Sequence, residues 1–160
     1  MIRVLLVSCG AAKLSTPAPA RDLYTGSLFR AARGYAERVG APWWILSAEH
    51  HLIHPETMIA PYERRLGGSD EERAWWARSV WDGLAFALST GHGWRSGQAV
   101  AVEIHAGVAY TAPLMASPGL RRSWRVELPL AGLQVGERLG WYRRAREVQT
   151  EQLALPLGAA

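Results

Sequence analysis

The sequence predicts an α/β fold: a single domain over residues 1–150, built on a mostly parallel central sheet of about four strands flanked by helices in a Rossmann-like arrangement. Three observations carry that expectation. "IRVLLV" (Ile2 to Val7) is a short, unbroken apolar run, as a strand buried on both faces requires. Strand-like and helix-like segments alternate from there to the end, which implies crossover connections and parallel pairing. A length of 160 residues suits one core of that size, with the last ten, 151–160, set apart as a tail.

The elements follow in order. After a polar loop, "SLFRAARGYAERVG" keeps Leu28, Ala32, Tyr35, Ala36 and Val39 at helical spacing, with Ser27 as N-cap and Gly40 as the stop. "PWWILSA" (Pro42 to Ala48) is the second strand. Glu49 to Gly68 shows no period, carries Pro55 and Pro61, and is expected to be one long loop. Ser69 and Glu72 have capping-box spacing ahead of a helix whose buried stripe runs through Trp76, Val80 and Leu84. "AVAVEIHAG" (Ala99 to Gly107) is the third strand. A short helix over Ala109 to Ala116, a fourth strand over Ser123 to Leu130 and a terminal helix, "GERLGWYRRAREVQ", complete the chain.

Composition narrows the function classes. No apolar run reaches the ~18 residues of a spanning helix, the N-terminus lacks a signal peptide's cleavage site, and a lone Cys cannot form an internal disulfide. A soluble, cytoplasmic protein with no membrane partner is expected; the oligomeric state is left open. Net charge is +4 and seventeen of the eighteen basic residues are Arg, leaving Lys13 as the single Lys. Arg121, Arg122, Arg143 and Arg144 belong, with Arg125, Arg138 and Arg146, to a C-terminal cluster suited to phosphate contacts, although a solvated helix face is the commoner reason for such a cluster.

In open parallel sheets ligands sit beyond the carboxyl ends of the strands. There the chain places "SCGAAK", "SAEHH" and "HAGVAY", its loops richest in polar and small residues. Gly10 allows a sharp turn whose N–H groups, with Ser8 and Lys13, suit a phosphate or ribose oxygen, but the P-loop spacing is absent. Cys9 is a second-choice nucleophile; most lone cysteines are small buried hydrophobes. Asp22, beside Arg21, would stay ionised and orient water or stabilise a cationic sugar, or merely cap a turn; Tyr24 offers a stacking face. Glu49, His50 and Tyr62 read as groups for a polar ligand. His50, His51 and His54 come without CxxC or HExxH, so no metal is expected. His105 stands at a strand end, followed by Gly107, which permits close backbone approach, and by Tyr110.

With these segments quoted, "LVSCGAAK…PAPARDLYTGSLF", "WILSAEHHLIHPETMIAPYE", "HAGVAY" and "PLAGLQVGERLGWY" resemble the peroxide-stress YaaA-like proteins of bacteria and phages. The resemblance covers nearly the whole chain. It implies a fold related to uracil-DNA glycosylases and a site for a nucleobase or nucleotide. By position, Ser8, Cys9, Gly10, Lys13, Asp22, Tyr24, Ser47, His50, Tyr62, Gly107 and Tyr110 fall on its motifs. Glu49 and His51 depart from them, standing where Lys and Gly are expected, and "CGAAK" has alanines where relatives carry lysines.

Residues and resemblance together lead to an expected DNA glycosylase acting on a modified or damaged base, flipped into the rim pocket. Asp22, His105 and Lys13 are its expected catalytic groups. Ser8, Cys9, Gly10, Tyr24, Ser47, Glu49, His50, Tyr62, Gly107 and Tyr110 would bind substrate, and the four C-terminal arginines would bind DNA, duplex or single-stranded. Such hydrolysis needs no cofactor. The alternatives are a non-catalytic DNA- or nucleotide-binding protein of stress response and an enzyme of free nucleosides or nucleotides.

Overall fold

The computed structural model describes residues 1–154. Five strands form the main sheet in the order β4-β3-β1-β6-β7: β1 (Ile2–Ser8), β3 (Trp43–Ser47), β4 (His51–Ile53), β6 (Val100–His105) and β7 (Trp124–Glu127). β1 pairs in parallel with β3 and β6, and β6 with β7; β4 runs antiparallel on the edge of β3. The fold is therefore α/β with a mostly parallel sheet, one strand wider than its sequence suggests. Helices α2 (Ser27–Val39) and α5 (Val135–Ala154) cover one face, and α3 (Asp70–Gly91) and α4 (Val108–Ala116) the other.

The extra strand arises inside the segment expected to be a loop. Its hairpin turn carries no Gly; His51 itself adopts a left-handed φ of 61°. That conformation is what glycine supplies without steric cost, so the missing Gly hid the turn. The same segment also holds β5 (Met58–Ile59), which pairs antiparallel with β2 (Ala18–Pro19) ahead of the one-turn α1 (Ala20–Leu23).

Local signals explain the helices. Gly40 ends α2 in a left-handed conformation, its N–H bonded to Ala36 O. Ser69 and Glu72 form both bonds of the capping box at α3, a motif that stabilises a helix by about 1 kcal/mol. The N-cap of α2 is Gly26, not Ser27; Ser27 is the first helical residue and makes no capping bond. At the other end of the chain α5 continues to Ala154, so the first residues of the expected tail are helical, and 155–160 lie outside the described residues.

Strand periodicity divides the core. Val100, Val102 and Ile104 of β6 join Val4 and Leu6 of β1 beneath α3, whereas Leu5 and Val7 face α2 and α5. Glu103 and His105 share that second face, opposite Leu5 and Val7 in register. From β1 the chain crosses through α2 to β3 on one side, then returns through α3 to β6 on the other. The carboxyl ends of β1 and β6 are thus a topological switch point, where such sheets open a crevice.

Candidate functional site

A cavity of about 490 Å³ opens at that switch point. Its volume lies within the range of roughly 300–1,000 Å³ usual for small-molecule sites. The end of β1 contributes Ser8, Cys9 and Gly10, the end of β6 contributes His105, and α5 contributes Arg138 and Tyr142. The first turn of α2 closes the side. Four residues expected at a ligand site from sequence therefore border one space.

His105 is 2% exposed and held at both ring nitrogens: Nε2 lies 2.8 Å from Glu103 Oε1 and Nδ1 2.9 Å from the Tyr142 hydroxyl. Burial pushes the Glu103 carboxyl up, but hydrogen bonds from His105, Arg3 and Tyr35 outweigh it and bring its pKa down to about 2. The carboxylate is an acceptor only, so His105 Nε2 carries the proton between them. Burial pushes the Tyr142 phenol upward, against the opposing charge of Arg138, so the phenol keeps its proton and stands within hydrogen-bond distance of His105 Nδ1. A carboxylate, an imidazole and a phenol form one chain whose last member lines the cavity.

A second group stands beside it, joined through Cys9. The Cys9 sulfur is 3.4 Å from the Tyr110 hydroxyl. Tyr62 lies 2.6 Å from Ser47 Oγ and 2.7 Å from the Tyr24 hydroxyl. Ser47 Oγ accepts the N–H groups of Glu49 and His50, which leaves its proton for Tyr62, whose hydroxyl also shares a hydrogen bond with that of Tyr24. Burial raises all three phenols, Tyr62 to about 12 and the other two further, so they remain neutral donors at physiological pH. Lys13 Nζ sits 4.6 Å from the Tyr62 ring centre, a cation–π contact, and His50 meets the same ring edge-on at 5.1 Å.

Other expectations are corrected by these positions. Asp22 lies at the surface of α1, bound to Arg33 at 2.7 Å and approached by Arg21 at 3.8 Å; it borders no part of the cavity. Tyr24 is 1% exposed, so its ring packs against Phe29 and offers no free stacking face. Glu49 points outward to Arg64. Gly107 does permit a close approach, but of the Arg138 guanidinium: Nη1 lies 3.3 Å from where a Cβ would stand. Arg121 is engaged by Gly119 O, Asp82 and the Trp124 ring, whereas Arg122, Arg143 and Arg144 are exposed. Among the described residues no three His, Cys, Asp or Glu side chains gather as a metal site would require.

Glu103 and Tyr142 are the site residues that sequence reasoning missed, and Arg138 enters it only as one of the C-terminal arginines. One signal was available: Glu103 and His105 stand two apart in an otherwise apolar strand, which puts both on one face of the sheet. None of the described helices is long and apolar enough to cross a membrane. No curated protein matches the chain. Residues 4–144 do match a family of unknown function, DUF6884, and since that span takes in the sheet, the cavity and the tyrosine group, the chain belongs to this family.

Proposed function

We propose that the protein is a nucleobase N-glycosidase of the cytoplasm, acting on a modified or damaged base, with the cavity at the β1–β6 switch point as its substrate site. The observation that carries this reading is the Glu103–His105–Tyr142 chain ending in the cavity lined by Ser8, Cys9 and Gly10. It supplies what glycosidic hydrolysis requires, a base for water and an acid for the departing ring. Water attacks C1′ as the bond to the base nitrogen breaks. The water proton passes to Tyr142 while Tyr142 gives its own to His105 Nδ1, and the resulting imidazolium is held by the Glu103 carboxylate. The same proton returns through Tyr142 to the leaving nitrogen. The sequence resemblance to YaaA-like proteins, which implies a fold related to uracil-DNA glycosylases, points to the same substrate class.

The test is release of free base from nucleosides, nucleotides and oligonucleotides bearing oxidised, deaminated or hypermodified bases. Release is expected on one of these, reduced by about 10²-fold or more in His105→Asn. Absence of release across the panel, or release indifferent to His105→Asn, would overturn the reading. A second reading, binding of nucleic acid without turnover, is favoured by the exposed Arg143 and Arg144 on α5. It requires binding that weakens steeply with salt and falls in Arg143→Ala/Arg144→Ala.

A further inference from the structure

We infer that the cavity recognises a phosphoryl group on its nucleoside ligand, and that Arg138 is the residue that binds it. The inference rests on the cavity being the ligand site proposed above, but not on any reaction there. Arg138 is half-buried and fixed: its Nε donates to Leu133 O at 2.9 Å, which turns the two terminal nitrogens toward the bare backbone of Gly107. Among the described residues it makes no ion pair.

The neighbouring acids are spoken for. Glu137 turns back to cap the Gln134 N–H at 2.6 Å, and Glu103 is satisfied by Arg3, Tyr35 and His105. None of the cavity's lining residues is Asp or Glu. A guanidinium with free donors in a carboxylate-free hollow selects an anion, and its planar fork matches two oxygens of a phosphoryl group. Ser8 and Ser27 border the same space, and each brings a hydroxyl to its rim. Phe29, Leu130 and Val135 give the apolar surface that a sugar and base would cover.

Two sources carry this chemistry, a free nucleotide and the phosphorylated end of a strand. Calorimetric titration with the four common nucleosides, their 5′-monophosphates, inorganic phosphate, and trinucleotides with and without a 5′-phosphate distinguishes them. At least one phosphorylated probe is expected to bind about tenfold or more tightly than its unphosphorylated partner, with inorganic phosphate competing. A preference confined to monophosphates assigns the free nucleotide; one extending to the trinucleotides assigns the strand end. Arg138→Gln should abolish the preference and Arg138→Lys restore part of it. Gly107→Ala, which displaces the guanidinium without removing it, should lower the preference several-fold, and it serves if the Gln variant does not fold. Equal binding within every pair, no binding by any probe at about 10 mM, or a preference intact in both Arg138→Gln and Gly107→Ala overturns the inference. Phosphate preference without base release would leave it standing while removing the glycosidase reading; release without preference would do the reverse.

Discussion

The two faces of the sheet solve different problems. Beneath α3 and α4, the core holds Trp76, Trp81, Trp94 and Trp124 among aliphatic side chains from all parts of the sheet. Three of its indole donors find carbonyls, Trp81 on Leu114 O, Trp76 on Ser47 O and Trp94 on Gln98 O, whereas Trp124 Nε1 is buried without a hydrogen-bond partner among the described residues. Beneath α2 and α5, the same strands present Glu103 and His105, held by Arg3, Tyr35 and Tyr142. Removing a carboxylate from water costs several kcal/mol, so bringing the Glu103 pKa down to about 2 takes the bonds from His105, Arg3 and Tyr35 together. An apolar pair at those positions would serve stability at least as well. The difference teaches that one face is filled by indoles and aliphatic side chains while the other gives up apolar packing for a buried polar network, and the cavity lies on the second.

That contrast can be broken or sharpened. Trp81→Ala should cost about 3–5 kcal/mol in urea unfolding, since a fully buried ring leaves a void; the loss should be the same at pH 5 and pH 8. A pH-dependent loss would show that the packing face shares the other's electrostatics. Next is Glu103, whose pKa falls from 4.5 to about 2 on folding. Its stabilisation, on the order of 3 kcal/mol, is complete above about pH 4.5 and lost as the pH falls toward 2. Glu103→Gln should flatten the stability profile across that window; an unchanged slope would mean that another carboxylate governs acid unfolding. Smallest is Tyr62→Phe. It deletes the hydroxyl between Ser47 and Tyr24 and should cost about 1–2 kcal/mol by the same unfolding measurement. No cost would mark the tyrosine group as loosely held and separate it from the polar face.

The strand alternation and the capping box of α3 were legible because each is a local signal, repeated or paired within a few residues. So was the carboxyl edge of the sheet as the place of the cavity, since Ser8, Cys9, Gly10 and His105 end their strands there. What lay hidden depends on partners distant in sequence. Asp22 looked catalytic until Arg33, eleven residues on, was seen to hold it. Glu103 passed as a strand residue because nothing nearby announces Arg3, a hundred residues away. The rotation of α5 that sends Tyr142 inward and Arg143 outward cannot be read from a helix with arginines on most sides. Gly107 was noticed for the right physical reason and matched to the wrong neighbour.

Because Arg138 and Tyr142 both belong to α5, the hollow has no far wall until that helix settles against α2. Occupancy and closure of the C-terminal helix are therefore thermodynamically coupled: whatever binds must also hold α5 down. Ligand should slow amide hydrogen exchange in α5 more than in α3, whose indole-rich seat owes nothing to it.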